Sequence, residues 1–210
     1  MLMVIDDYNI TNLIITKMKM FKLMMITAII LTFGFIQQSN AQKQPGGLYL
    51  TYNDYLHHKL SYITNQSNGN KIIIHDFIGT GNITVISDGK KLVIPKREVF
   101  GYRDNYNNDY RFSDDEAYQI VDTKGFYIYS YDKLVQQVKG PKPTKVYYFS
   151  KKIDDEILPL TPENIAMAFP KNPKFKYMVE LASKSDINLG AYDNELNEYT
   201  IKELYTESLK

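Results

Sequence analysis

Ten aromatic side chains are packed into the stretch from Glu98 to Leu134: Phe100, Tyr102, Tyr106, Tyr110, Phe112, Tyr118, Phe126, Tyr127, Tyr129 and Tyr131. Aromatic and β-branched residues suit a pleated, half-buried surface, so Ala117 to Val121 and Phe126 to Tyr131 read as two strands of an antiparallel sheet. Asp122-Thr123-Lys124-Gly125 joins them, with a glycine that takes positive φ at little cost. Side chains alternate across a strand. Tyr127, Tyr129 and Tyr131 therefore share one face, and Phe126, Ile128 and Ser130 share the other. Such a tyrosine row has two readings: a stacking platform for sugar rings or bases, or cross-strand aromatic pairs that stabilise the sheet.

The chain opens with a different pattern. Lys17, Lys19 and Lys22 precede the apolar run Leu23 to Ile36 and the polar QQSNA, where Ser39 and Ala41 fit a small-x-small cleavage site. This predicts a secretory signal peptide, because the apolar run is shorter than the roughly 20 residues a membrane-spanning helix needs. Asp6 and Asp7 do not suit its charged start, so translation is expected to begin at Met18 or Met20. Cleavage after Ala41 leaves 169 residues, enough for one domain with its own core. No stable membrane span is expected after cleavage.

The expected divisions are 1–41, an extension and cleaved signal; 42–150, β-rich; and 151–210, the helical end of the same domain. The chain holds 25 basic and 24 acidic residues, of which three lysines and two aspartates fall before Gln42. The remainder is neutral and offers no electrostatic case for nucleic acid. There is no cysteine, which removes thiol catalysis, thiolate metal sites and disulfides, and suits a periplasmic or extracellular location.

Along the mature part, Gly47 to Thr51 reads as a short strand, Tyr52 to His57 as a helical turn and Lys71 to Phe77 as a buried strand. Ile83 to Ser87 and Lys90 to Ile94, joined by Asp88-Gly89, predict a two-residue hairpin. Pro95 ends its second strand or confines it to an edge. Gly140-Pro141-Lys142-Pro143 reads as a stiff bend before a strand at Val146 to Ser150, and six to eight strands are expected in all. Thr161-Pro162-Glu163 and Asn172-Pro173 are N-caps followed by proline at the first helical position. In the second helix Phe175, Met178, Val179 and Ala182 recur at helical spacing. The tail from Asp193 reads as a helix, although Glu198 to Lys202 also alternates like a strand. Strands first and helices last predict an α+β fold: an antiparallel, aromatic-rich sheet of hairpins with a C-terminal helical cap.

No motif combines catalytic residues with their required context. Asn105, Asn107, Asp109, Ser113 and Glu116 are spaced like calcium-loop ligands, but Tyr110 stands where that loop needs glycine. His57 and His58 point apart on a helix or a strand, so they do not clasp one ion. Ser87 and Lys90 span a hairpin turn rather than opening a helix, as the S-x-x-K pairing requires. Asp114-Asp115-Glu116 and Asp154-Asp155-Glu156 offer carboxylates for a hydrolase, which needs two of them held across a cleft. No metal or cofactor is called for.

The phrases GLYLTYNDY (47–55), FGYR (100–103), YRF (110–112) and YYFSKK (147–152), with PLT and AFP between Pro159 and Pro170, resemble a family of small secreted bacterial proteins of unknown function, Gram-negative in type. The resemblance implies an exported domain with a helical end and assigns no activity. The expected role is a non-catalytic binding or structural module of the cell envelope, partnered by an envelope protein or a glycan. The residues singled out for ligand binding are Tyr127, Tyr129 and Tyr131. A carboxylate-dependent hydrolase is the other alternative.

Overall fold

The computed structural model describes residues 44–64, 67, 69–75, 81–137 and 140–210, together with Lys17. The rest of the expected export segment, and the end of the expected strand Lys71 to Phe77 beyond His75, lie outside them. The fold is α+β, with three antiparallel sheets and four α-helices among these residues. Among them, no helix is long and apolar enough to cross a membrane.

Eight strands form the main sheet. In chain order they are β1 (Gly46–Tyr49), β2 (Ser61–Thr64), β6 (Gly101–Arg103), β7 (Asp109–Ser113), β8 (Glu116–Asp122), β9 (Tyr127–Gln137), β10 (Gly140–Ser150) and β11 (Leu158–Pro159). Their spatial order is β11-β10-β9-β8-β7-β6-β1-β2, a meander closed by the first two strands. Asp114 and Asp115, both at positive φ, make the tight β7–β8 turn, and Gly125 at φ 73° opens the way into β9. β6 runs so close to β7 that a Cβ on Gly101 would lie 1.9 Å from the Tyr110 carbonyl oxygen. Only glycine fits there, because the obstacle is backbone.

The second sheet holds β3 (Lys71–Ile74), β4 (Asn82–Ser87) and β5 (Lys90–Pro95), with β5 at its edge. The β4–β5 turn is the expected one, with Asp88 at φ 52° and Gly89 at φ 73°. β3 corrects the sequence reading: its residues alternate exposed and half-buried rather than being buried throughout. The outer strands of this sheet leave one face largely toward solvent, and the central β4 carries its buried residues, Ile83 and Val85 against a core and Thr84 on the other face.

Three apolar cores result among the described residues. One face of the main sheet contributes Leu48 and Phe112 to a core shared with Ile83, Val85 and Val99. The same face contributes Phe126, Ile128 and Phe149 to a core closed by Ile165, Phe175, Val179 and Ile201. These last four come from α2 (Pro162–Ala168), α3 (Pro173–Lys184) and α4 (Thr200–Ser208). The opposite face carries a smaller core, Tyr49, Tyr55 and Ile153, to which α1 (Tyr52–Leu56) contributes Tyr55. Burying two faces of a sheet in this way requires apolar residues in both alternation classes, which is why the aromatic strands read so densely.

The helical cap is built as its caps predict. Thr161 Oγ1 accepts from Asn164 N at 3.3 Å, and Asn172 Oδ1 accepts from Phe175 N at 3.0 Å. Phe175, Val179 and Ala182 are buried on one face of α3. The tail differs from expectation: Tyr192–Asp193 (β12) and Glu198–Tyr199 (β13) pair before α4 begins. The Asp193 carboxylate holds that turn by accepting from Glu195 N and Leu196 N.

Gly140-Pro141-Lys142-Pro143 is not a bend but the start of β10. Its partner β9 meets β8 only through Ile128, Tyr129 and Ser130, and β10 meets β11 only through Tyr148 and Phe149. Beyond those pairs the two strands run on as a two-stranded arm, with Pro141 opposite Gln136 and Pro143 opposite Leu134. Prolines two residues apart turn their nitrogens to the same side. A strand keeps them only when that side is an open edge, so the arm's outer edge lacks two donors.

Candidate functional site

The ladders extend the tyrosine face of β9 across the sheet. Tyr129 lies opposite Tyr148 and Ile120, Tyr131 opposite Val146, and Tyr127 opposite Ser150. Further over, Arg111 lies opposite Tyr118 and Gly101, Arg103 opposite Asp109, and Tyr49 opposite Gly101. This face therefore mixes phenols with guanidinium groups and a carboxylate.

Its inner half is a hydrogen-bonded network. Arg103 clasps Asp109 with two bonds of 2.7 Å, Nε to Oδ1 and Nη2 to Oδ2. The Tyr49 hydroxyl donates to the same Oδ1 at 2.9 Å. Burial, then Asp109 accepting the proton, raises Tyr49 well above the ordinary phenol range. Burial likewise raises Tyr55, whose ring meets Tyr49 edge-on at 5.4 Å, to about 12.

A second chain of bonds has a defined direction. Ser150 Oγ donates to the Lys152 carbonyl at 2.6 Å, which uses its only proton. The Tyr129 hydroxyl, 2.8 Å from Ser150 Oγ, must then be the donor of that pair, and it accepts from Arg111 Nη1 at 3.3 Å. Arg111 also lies over the rings of Phe100 and Tyr129, at 5.9 and 6.0 Å. Its guanidinium thus connects a buried phenol to the surface.

At the centre of the tyrosine row the structural reading holds, because Tyr129 is 0 % exposed. Its ring lies 6.5 Å from that of Tyr127, which packs against the core of Tyr49, Tyr55 and Ile153. The helical cap is on the other face, against Phe126 and Ile128. Tyr131 instead joins Tyr118 and Tyr148, with Tyr118 ring centroids 5.4 and 5.0 Å away from its two neighbours. The Tyr131 hydroxyl donates to Glu116 at 2.8 Å. These three half-buried tyrosines belong to none of the three apolar cores.

A shallow cleft of about 350 Å³ opens beside the network, lined by Tyr52, Arg97, Glu98, Phe100, Arg111 and Asp154 among others. Tyr52 begins α1, where Thr51 Oγ1 caps the helix by accepting from Asp54 N. Arg97 and Glu98 stand on the 3-10 turn Lys96–Glu98. That turn is anchored by the buried Lys96, which donates to the Asp115 carbonyl at 2.7 Å. Asp154 comes from the acidic triplet after β10. Its neighbour Asp155 accepts from Lys152 N and closes the loop.

The other sequence candidates are dispersed. Asn105 and Asn107 lie in a turn that Asp104 organises by accepting from Tyr106 N and Asn108 N, each at 2.8 Å. Asp109 and Glu116 lie on different strands and have other partners, so these residues do not converge as calcium ligands would. Among the described residues no three histidine or acidic side chains gather as metal ligands. Sequence reasoning missed Tyr52, Arg97, Phe100 and Arg111. The signal for Arg111 was there: in Tyr110-Arg111-Phe112, alternation places the arginine on the opposite face to two aromatics. Comparison with protein-family models, curated proteins and solved structures finds no match to this chain.

Proposed function

We propose that this is an exported, non-catalytic binding module of the cell envelope that takes a glycan on the tyrosine-bearing face of its main sheet. The observation that carries the reading is the composition of the cleft. Arg97 and Arg111 offer planar arrays of donors, Glu98 and Asp154 offer acceptors, and Tyr52 and Phe100 offer ring faces. A sugar hydroxyl both donates and accepts, and its ring carries apolar C–H faces, so it uses all three groups. Tyr52, 47 % exposed, is placed to stack. The adjoining cluster of Tyr118, Tyr131 and Tyr148 gives a longer oligosaccharide somewhere to continue.

A hydrolase would use Glu98 and Asp154 as its carboxylate pair. That chemistry needs a deep, shaped cleft holding the two groups on opposite sides of one bond, and a shallow cleft favours binding. The test is binding of residues 42–210 to a glycan array, followed by calorimetry with Tyr52→Ala and Arg97→Ala. Each substitution is expected to weaken binding about tenfold or more, the scale of losing one stacking or charged contact. An array with no bound glycan, or affinities that neither variant changes, would sink the proposal.

A further inference from the structure

The helical cap contains a second, larger concavity of about 470 Å³. Its apolar lining includes Phe126, Phe169, Tyr205 and Leu209, and its charged lining is Lys151 and Lys171. The volume falls in the range of small-molecule pockets, about 300 to 1,000 Å³. Among the described residues no acidic side chain lines it and neither lysine makes an ion pair. Lys151 Nζ lies 5.6 Å above the Phe169 ring, so one ammonium is held beside the apolar wall.

We propose that this concavity binds a small organic anion with an apolar body, such as an arylalkyl carboxylate. The rings form a hydrophobic wall that is only partly used by the core: Phe169 and Tyr205 are half-buried, and Leu209 is 66 % exposed. A body laid on that wall places its anionic head beside two lysines that pair with no carboxylate among the described residues. The alternative source of negative charge, an inorganic anion, would satisfy the lysines but leave the wall bare. A neutral aromatic would cover the wall and leave the lysines unpaired.

Three probes separate these cases: phenylacetate, benzyl alcohol and inorganic phosphate, each titrated into the full chain by two-dimensional NMR. The expected result is saturable binding of phenylacetate with shifts at Phe169 and Tyr205, and binding at least about tenfold weaker for the other two. In a Lys151→Gln/Lys171→Gln variant, whose altered side chains are exposed and spare the fold, phenylacetate affinity falls to that of benzyl alcohol. The proposal is overturned if phenylacetate gives no saturable shift at millimolar concentration, if phosphate binds as tightly, or if the double variant binds phenylacetate unchanged. Shifts confined to Tyr52 and Phe100 would also overturn it. The readout is separate from the sheet-face cleft, so either site can fail without the other.

Discussion

Lys202 shows what a single buried charge demands. Its side chain is 2 % exposed, and its Nζ donates to the carbonyls of Lys124 and Phe126 and pairs with Asp122 at 3.3 Å. The ammonium also lies 3.7 Å from the centroid of the Phe126 ring. Burial nevertheless lowers its pKa from 10.5 to about 8, against the opposing pull of Asp122. The unfolded chain therefore binds this proton more tightly than the folded one, and stability rises with pH between 8 and 10.5. The limiting slope is about 1.4 kcal/mol per pH unit. Urea denaturation in steps from pH 8 to pH 10 should show that rise in the parent protein and lose it in Lys202→Met. Nothing near Lys202 in the sequence marks it, because its partners lie more than seventy residues away on the β8–β9 turn.

Among the elements, the helix starts were legible because a cap is a local device. Thr161 and Asn172 sit beside the nitrogens they serve, so residue type and spacing suffice. Their weights are not equal, however. Asn172 also donates through Nδ2 to Ser208 Oγ at 2.8 Å, joining α3 to the end of α4. Thr161→Ala is expected to cost about 1 kcal/mol, the usual value of an N-cap, and Asn172→Ala about twice that, because two helices lose a bond. Asn172→Asp keeps the cap and loses the donor, so its stability should fall between those of the parent and Asn172→Ala in chemical denaturation. The Asp88-Gly89 hairpin was legible for the same local reason. The arm of β9 and β10 was not, since a proline breaks a strand or only edges it according to which side is paired, and pairing is a long-range fact. β3 misled in a similar way: three isoleucines look the same whether a sheet is covered on one face or two.

At the scale of the whole molecule, the aromatic density that organises the sequence also sets an upper pH limit. Burial raises Tyr55, Tyr118 and Tyr199 to about 12 and lifts Tyr49 and Tyr129 above their ordinary value. A phenol with a raised folded pKa stays protonated while its unfolded counterpart ionises, so stability is kept below pH 10 and lost above it. Each fully shielded tyrosine removes up to about 1.4 kcal/mol per pH unit, and several act together. Alkaline unfolding should therefore be steep, with tyrosinate absorbance and loss of far-ultraviolet circular dichroism coinciding. Gradual ionisation without unfolding would show that these rings are wetter than their burial implies. The candidate site was only half legible on this scale, because the sequence marks which residues share a face but not which of them another element will cover.

The core around Phe126 is completed by residues far downstream, Ile201 with Tyr205 beside it. Time gives that arrangement a further meaning. A ribosome delivers the aromatic strands first, and their Phe126 and Phe149 face is covered in stages, by α2 and α3 and only last by α4. A message cut short before Ile201 would therefore yield a sheet whose aromatic side is covered by α2 and α3 but left open where Ile201 and Tyr205 belong, a species prone to capture by holdase chaperones.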